Sequence, residues 1–188
     1  GHGKTAEGTP SPQMTTEEAG ELVRFLLDAG SNGATILTWN GLGFDFDILA
    51  EESGMPEECK QLARHHVDMM FHVFCQLGYP IGLGKAAEGM GLPGKSSNEA
   101  QKLAPDMWAD GRYDEILEYV AQDARATLSI GQTCEERGEI CWITRKGYPT
   151  CKPLTDGWLT VTQAQALPEP DTSWMDDPMK RTRFTDWL

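Results

Sequence analysis

The residues Ala34-Thr35-Ile36-Leu37-Thr38-Trp39 are followed directly by Asn40-Gly41-Leu42-Gly43-Phe44-Asp45, and this stretch decides the fold that the sequence predicts. A β-branched, apolar run bounded by turn residues is typical of an interior strand. The two glycines then predict a turn, and a short helix should run from about Asp45 to Ser53 and end at Gly54. Open α/β sheets usually place their chemistry at the exit of a buried strand. We therefore expect an α/β fold with the Asp45 carboxylate at such an exit.

The flanking sequence predicts mainly helices. Thr15 and Glu18 form a capping box for a helix that should end at Gly30. Further expected elements are a helix from Pro56 toward Arg64, a brief edge strand over 66–69, a helix through Leu77, a short helix over 85–90, the longest helix over 112–137, and strands over 140–144 and 148–154 that form a hairpin around Lys146-Gly147. Residues 1–12 are expected to be a loop, and the tail to Leu188 an extended appendage packed by its aromatic residues.

A second pair of chemical groups lies inside the longest helical pattern. Tyr119 and Asp123 are four residues apart, so a helix presents the phenol and the carboxylate on one face. Taken alone, this pair is more typical of a core tyrosine beside a solvated acid. Taken alone, the Asn40–Asp45 segment is likewise more typical of an Asn-Gly turn with Asp45 as a helix N-cap.

The two segments in this order, about 80 residues apart, resemble the second and third motifs of the DEDD superfamily of 3′-5′ exonucleases, in its tyrosine branch. The similarity runs from about Thr15 to Arg137, and weakly through Trp158 to Met175, and the chain resembles predicted exonucleases related to the proofreading domain of family B DNA polymerases. It implies a ribonuclease H-like mixed sheet flanked by helices over residues 1–137, followed by a C-terminal hairpin and tail over 138–188.

The resemblance also implies residue roles. Asp45 and Asp123 would be ligands of two Mg²⁺ or Mn²⁺ ions, and Tyr119 would orient the attacking water. Asn40 and Phe44 would contact the substrate, a single-stranded DNA or other nucleic acid 3′ end. We therefore expect Asn40, Asp45, Tyr119 and Asp123 to meet in one cleft.

The family's first motif, an Asp-x-Glu on an opening strand, does not precede Thr15. We therefore expect an N-terminally incomplete copy that lacks the opening strands of the sheet and has little activity. Two alternatives remain open at this point. One is a non-catalytic ribonuclease H-like module that binds nucleic acid, and the other is an acidic protein-interaction domain that uses the tryptophan-rich tail.

Composition sets broader limits. The formal net charge of −13 argues against nucleic-acid binding by the whole surface. It does not exclude a nuclease, because bound cations reverse the local sign of an acidic site. No apolar run is long enough to span a membrane, and we expect a cytoplasmic protein. We accordingly expect the five cysteines to be free thiols, with Cys141 and Cys151 as the one pair that could face each other across the hairpin.

Other candidates are weaker. Asp68 could lie in a substrate channel, but an exposed acid at a strand end is the simpler interpretation. Asp47 is expected to be a first-turn acid that the helix dipole favours. His65 and His66 lack the neighbouring ligands that a zinc site needs.

Overall fold

Residues 13–93 and 106–188 are described by the structure, a computed structural model of the chain, and they fall into two units. The first unit combines the chain up to Tyr79 with Leu159–Leu188, and the second is Pro80–Trp158. The loop predicted for residues 1–12 lies outside the described residues. The described part of the chain is mixed α/β, with helices predominating over two small sheets.

The first unit contains six helices and one small sheet among its described residues. The helices are α1 (Thr16–Ser31), α2 (Asp45–Ser53), α3 (Pro56–His65), α4 (Met69–Leu77), α7 (Val161–Gln165) and α8 (Thr182–Thr185), and the strands are β1 (Leu37–Thr38) and β2 (Val67–Asp68). The two strands are parallel, with Leu37 opposite Val67 and Thr38 opposite Asp68. This sheet places the end of β1 beside the start of α4.

Local sequence signals account for these boundaries. The Thr15 side chain accepts a hydrogen bond from the Glu18 backbone N–H, and the Glu18 carboxylate accepts one from the Thr15 backbone N–H, so the predicted capping box is confirmed. The predicted helix from Asp45 to Ser53 is also confirmed, and Gly54 ends it with φ 65°, a left-handed conformation that glycine adopts without strain. Pro56 begins α3 as expected, where its missing N–H costs no hydrogen bond.

The predicted interior strand over residues 34–39 is wrong in its extent. Only Leu37–Thr38 is strand, and both residues are half-buried. Among the described residues β1 pairs only with β2. The segment 34–39 therefore forms strand hydrogen bonds only at the two residues that lie opposite β2.

The C-terminal tail packs through aromatic residues, as the sequence predicts, but it belongs to the core of the first unit and is not an appendage. Val161, Ala164 and Phe184 are buried in the core of the first unit, where Phe184 packs against Phe71 and Phe74 with ring centroids 5.7 and 4.9 Å apart. Burying aromatic rings is strongly favourable, and this burial makes the tail part of the fold.

The second unit consists of α5 (Leu83–Met90), α6 (Tyr113–Arg137) and the hairpin β3 (Glu139–Ile143) and β4 (Pro149–Pro153). Residues 106–109 are also helical. Ile140 and Trp142 are buried, and α5 lies so close to β3 that a Cβ on Gly89 would collide with the backbone of Trp142. The division predicted between residues 137 and 138 does not coincide with a unit boundary, because the hairpin packs with α5 and α6.

The predicted hairpin is confirmed as an antiparallel pair in which Cys141 faces Cys151. These two cysteines form a disulfide, so the expectation that all five thiols are free is wrong for this pair. The register brings their Cα atoms to 4.0 Å, which is a consequence of the hairpin and could not be read from spacing alone. Cys59, Cys75 and Cys134 are free and buried. No helix among the described residues is long and apolar enough to cross a membrane.

Candidate metal and nucleic-acid site

The candidate site in the first unit begins with the turn that follows β1. Asn40 adopts φ 71°, a left-handed conformation that asparagine tolerates better than most residues. The Gly41 N–H donates to Thr38 Oγ1 at 3.2 Å, and a Cβ on Gly41 would lie 2.6 Å from that same oxygen. The tight turn between β1 and α2 therefore requires the Asn-Gly pair.

The carboxylate of Asp68 holds this turn in place. Its Oδ1 accepts the N–H groups of Asn40 and Phe71, each at 3.0 Å, and its Oδ2 accepts the N–H of Leu42 at 2.9 Å. Only 1% of the residue is exposed, so the predicted exposed acid at a strand end is wrong. The carboxylate caps α4 and supports the turn at once, and three backbone donors occupy it. A position directly before a helix was the available signal for the cap.

His66 and Trp187 complete the support. His66 is buried with its Nε2 3.0 Å from Thr38 Oγ1 and its Nδ1 2.8 Å from the Ala63 carbonyl oxygen. Burial lowers the pKa of His66, although the charge of Asp68 acts in the opposite direction. The Trp187 indole N–H donates to the Leu42 carbonyl oxygen at 2.9 Å. His66 is thus a structural residue within the first unit.

Asp45 occupies the first position of α2, and its side chain is exposed. Neighbouring protein atoms nevertheless crowd the carboxyl group and raise its pKa, the negative charge of Asp68 raises it further, and a hydrogen bond from its own backbone lowers it. A carboxylate that is destabilised by a like charge gains from a nearby cation. The Asp45 oxygens are open to such a cation, whereas those of Asp68 are already bound by the backbone.

A groove of about 640 Å³ opens beside Asp45. Most of its wall is apolar, and the lining residues come from the chain before α1, from α1, from the β1 segment and from α2: Gln13, Met14, Ala19, Leu22, Leu26, Ile36, Thr38, Asp45, Phe46, Ile48, Leu49 and Glu52. Phe44, directly before Asp45, is 60% exposed. An exposed aromatic ring next to a carboxylate can stack on a base while the acid holds a cation near the phosphate.

The second unit carries the other predicted pair. Tyr119 and Asp123 both lie in α6 and are half-buried, so the predicted helical arrangement of the phenol and the carboxylate is confirmed. The Thr127 hydroxyl donates to the Asp123 backbone carbonyl at 2.9 Å. Asn40, Phe44 and Asp45 are therefore neighbours in one unit, and Tyr119 and Asp123 are neighbours in the other.

The described residues contain one cluster of three potential metal ligands, and it is not at Asp45. It consists of Glu139, Cys141 and Cys151 on the hairpin of the second unit. Sequence analysis did not identify Glu139, because its proximity to Cys151 depends on the strand register. Comparisons with protein-family models, curated proteins and solved structures found no match.

Proposed function

We propose that this chain carries the second and third carboxylate motifs of a metal-dependent 3′-5′ exonuclease with a ribonuclease H-like fold. Its substrate would be a single-stranded DNA 3′ end and its products nucleoside monophosphates. The observation that carries the proposal is the position of Asp45: an exposed acid that opens a helix directly after the turn from a parallel strand, beside an open groove. Such a position is where α/β sheets commonly bind ligands.

The donor set suits a hard cation. Mg²⁺ prefers oxygen ligands and is often held by one or two carboxylates together with waters and substrate phosphates. Asp45 and Asp123 would be these protein ligands. Bound divalent cations would supply an activated water and stabilise the charge on the attacking and leaving oxygens of the phosphodiester.

The other residues would act on water and substrate. The Tyr119 hydroxyl lies one helical turn from Asp123. It would form a hydrogen bond with the attacking water and so orient that water toward the phosphorus atom. The Asn40 side chain would contact the DNA strand, and the Phe44 ring would stack on a base near the 3′ end. Asp68 would act indirectly, because it holds the turn that carries Asn40.

A second candidate function is a module of the same fold that binds nucleic acid without cleaving it. The hydrogen bonds of Asp68 favour it, since this carboxylate cannot become an additional metal ligand without giving up backbone hydrogen bonds. The two candidates differ in one measurable property, the metal-dependent release of nucleotides.

The experiment is an exonuclease assay of the full-length gene product on a 3′-labelled single strand with Mg²⁺ or Mn²⁺. Asp123→Ala should abolish digestion, because it removes a metal ligand. Tyr119→Phe should retain the metal and reduce the rate by about 10²- to 10⁴-fold, the usual range for a positioned group. Asp47→Asn, an exposed acid on the same helix as Asp45, is the matched control and should keep full activity. Full activity in Asp123→Ala would exclude the exonuclease assignment.

A further inference from the structure

The hairpin of the second unit brings a carboxylate and two sulfur atoms to one point on its surface. Glu139 and Cys141 are two residues apart on β3, and Cys151 lies opposite Cys141 on β4. Side chains at i and i+2 point to the same face of a strand, and directly opposite residues share that face as well. The ligand atoms of the three residues lie within 4.8 Å of one another.

We propose that these three residues form a zinc site when the Cys141–Cys151 disulfide is reduced. Thiolate sulfur and carboxylate oxygen are both common zinc ligands, and a tetrahedral ion with three protein ligands keeps one position for water. Two thiolates bound to one zinc at about 2.3 Å stand about 3.8 Å apart. This sulfur–sulfur distance is smaller than the 4.8 Å within which the three ligand atoms lie. Rotation about the side-chain bonds of the two cysteines is therefore sufficient to form the site.

The disulfide and the zinc site exclude each other, because each uses both sulfur atoms. A low-molecular-weight thiol supplies the two electrons: the S–S bond breaks, two thiols form, and two molecules of the reductant are joined as their own disulfide. Zinc then replaces the two thiol protons, which are released to solvent, and Glu139 adds its carboxylate. In the reverse direction a low-molecular-weight disulfide takes up the two electrons: its own S–S bond breaks, it takes up two protons to form two thiols, the zinc ion is expelled, and the Cys141–Cys151 S–S bond forms again.

The packing of the hairpin allows this exchange. Its opposite face is anchored by Ile140 and Trp142, which are buried, and by the close approach of Gly89 to the backbone of Trp142. The Cys141 N–H also donates to the Met90 sulfur at 3.1 Å. These contacts hold β3 without help from the disulfide. Cys141 is buried, but Cys151 is exposed and Glu139 is half-buried, so a reductant and an ion reach the sulfur pair from the Cys151 side.

The test uses Co²⁺ as a spectroscopic probe of the zinc site on the whole chain. Chain reduced with a phosphine and freed of the reductant should bind one Co²⁺ with a thiolate-to-cobalt charge-transfer band, and Zn²⁺ should displace it. The oxidised chain should show no such band. The Cys141→Ser/Cys151→Ser variant retains the three free cysteines, Cys59, Cys75 and Cys134. It therefore measures how much Co²⁺ these thiols bind without the hairpin pair.

Losing a residue that only hydrogen-bonds a metal ligand typically weakens metal binding by roughly 10- to 100-fold. Glu139→Gln removes a direct ligand, so it should weaken Co²⁺ binding by at least that much. Glu136→Gln, an exposed acid at the end of α6, should leave the affinity unchanged. The proposal is overturned if the reduced chain gives no charge-transfer band, if the band persists in the double serine variant, or if near-ultraviolet circular dichroism shows that reduction alone unfolds the hairpin.

Discussion

Removing the Asp68 carboxylate should destabilise the first unit more than any other single change to a polar group in the candidate site. Leu42 and Phe71 are fully buried, so their N–H groups would have no access to water once the carboxylate is gone. Each buried donor left without a partner costs about 1 to 3 kcal/mol, and the half-buried N–H of Asn40 adds less. Asp68→Ala should therefore lower the free energy of unfolding by about 3 to 6 kcal/mol.

Asp68→Asn provides a graded comparison. The amide oxygen can still accept the Asn40 and Phe71 N–H groups at the Oδ1 position, but the NH₂ group would face the N–H of Leu42. The loss should be about 1 to 3 kcal/mol, clearly smaller than for alanine. Asp47→Asn is the control, since an exposed first-turn acid contributes at most about 1 kcal/mol.

Urea unfolding measures the three free energies, and amide hydrogen exchange locates the change. Exchange should accelerate first at Leu42 in Asp68→Asn, and at both Asn40 and Leu42 in Asp68→Ala. A loss below about 1 kcal/mol in Asp68→Ala, or exchange at Leu42 that stays as slow as in the parent protein, would refute the argument that this carboxylate holds the turn.

Two further predictions concern acid sensitivity and packing. His72 is buried, burial lowers its pKa to about 4, and its Nδ1 accepts the Leu159 N–H at 3.4 Å. Because the pKa of His72 is lower in the folded than in the unfolded state, the stability that the neutral ring contributes is complete above about pH 6.5 and is lost as the pH falls toward 4, by up to about 3 kcal/mol. His72→Gln should therefore reduce the change in urea midpoint between about pH 7 and 4.5. An unchanged pH dependence in this variant would show that other groups cause it. Gly89→Ala should destabilise the second unit by about 1 to 3 kcal/mol, because the added Cβ collides with the β3 backbone. Gly30→Ala is the comparison: beyond its own helix no atom lies within 4 Å of the added Cβ, so thermal unfolding should show no change or a stabilisation of up to about 1 kcal/mol. Equal effects of the two substitutions would contradict the close packing at Gly89.

The local elements were predictable from sequence because their signals are local. The capping box of Thr15 and Glu18, the glycine at position 54 and the hairpin turn at Gly147 each act over a few residues. The pairing of Tyr119 with Asp123 needed only the helical period. These features do not depend on how distant parts of the chain meet.

The features that the sequence did not predict depend on tertiary contacts or on strand register. Asp68 is separated by 28 residues from Asn40, and Trp187 by 145 residues from Leu42. Neither an acid before a helix nor a tryptophan in a polar tail reveals such partners. The register that joins Cys141 to Cys151 and places Glu139 beside them is also a property of the folded hairpin. Tertiary packing therefore turned an expected surface acid and an expected appendage into parts of the core.

The most direct test of the proposed function is a titration of the isotope-labelled chain with Mn²⁺, followed by paramagnetic broadening of backbone NMR signals. Signals around Asp45 and around Asp123 should broaden first and together if, as proposed, both carboxylates are ligands of the catalytic cations. Asp45→Asn and Asp123→Asn should each reduce the broadening at both positions, whereas Asp47→Asn should not. Broadening confined to other acidic surfaces, or unchanged in the Asp45 and Asp123 variants, would contradict the proposal that these residues hold the catalytic metal.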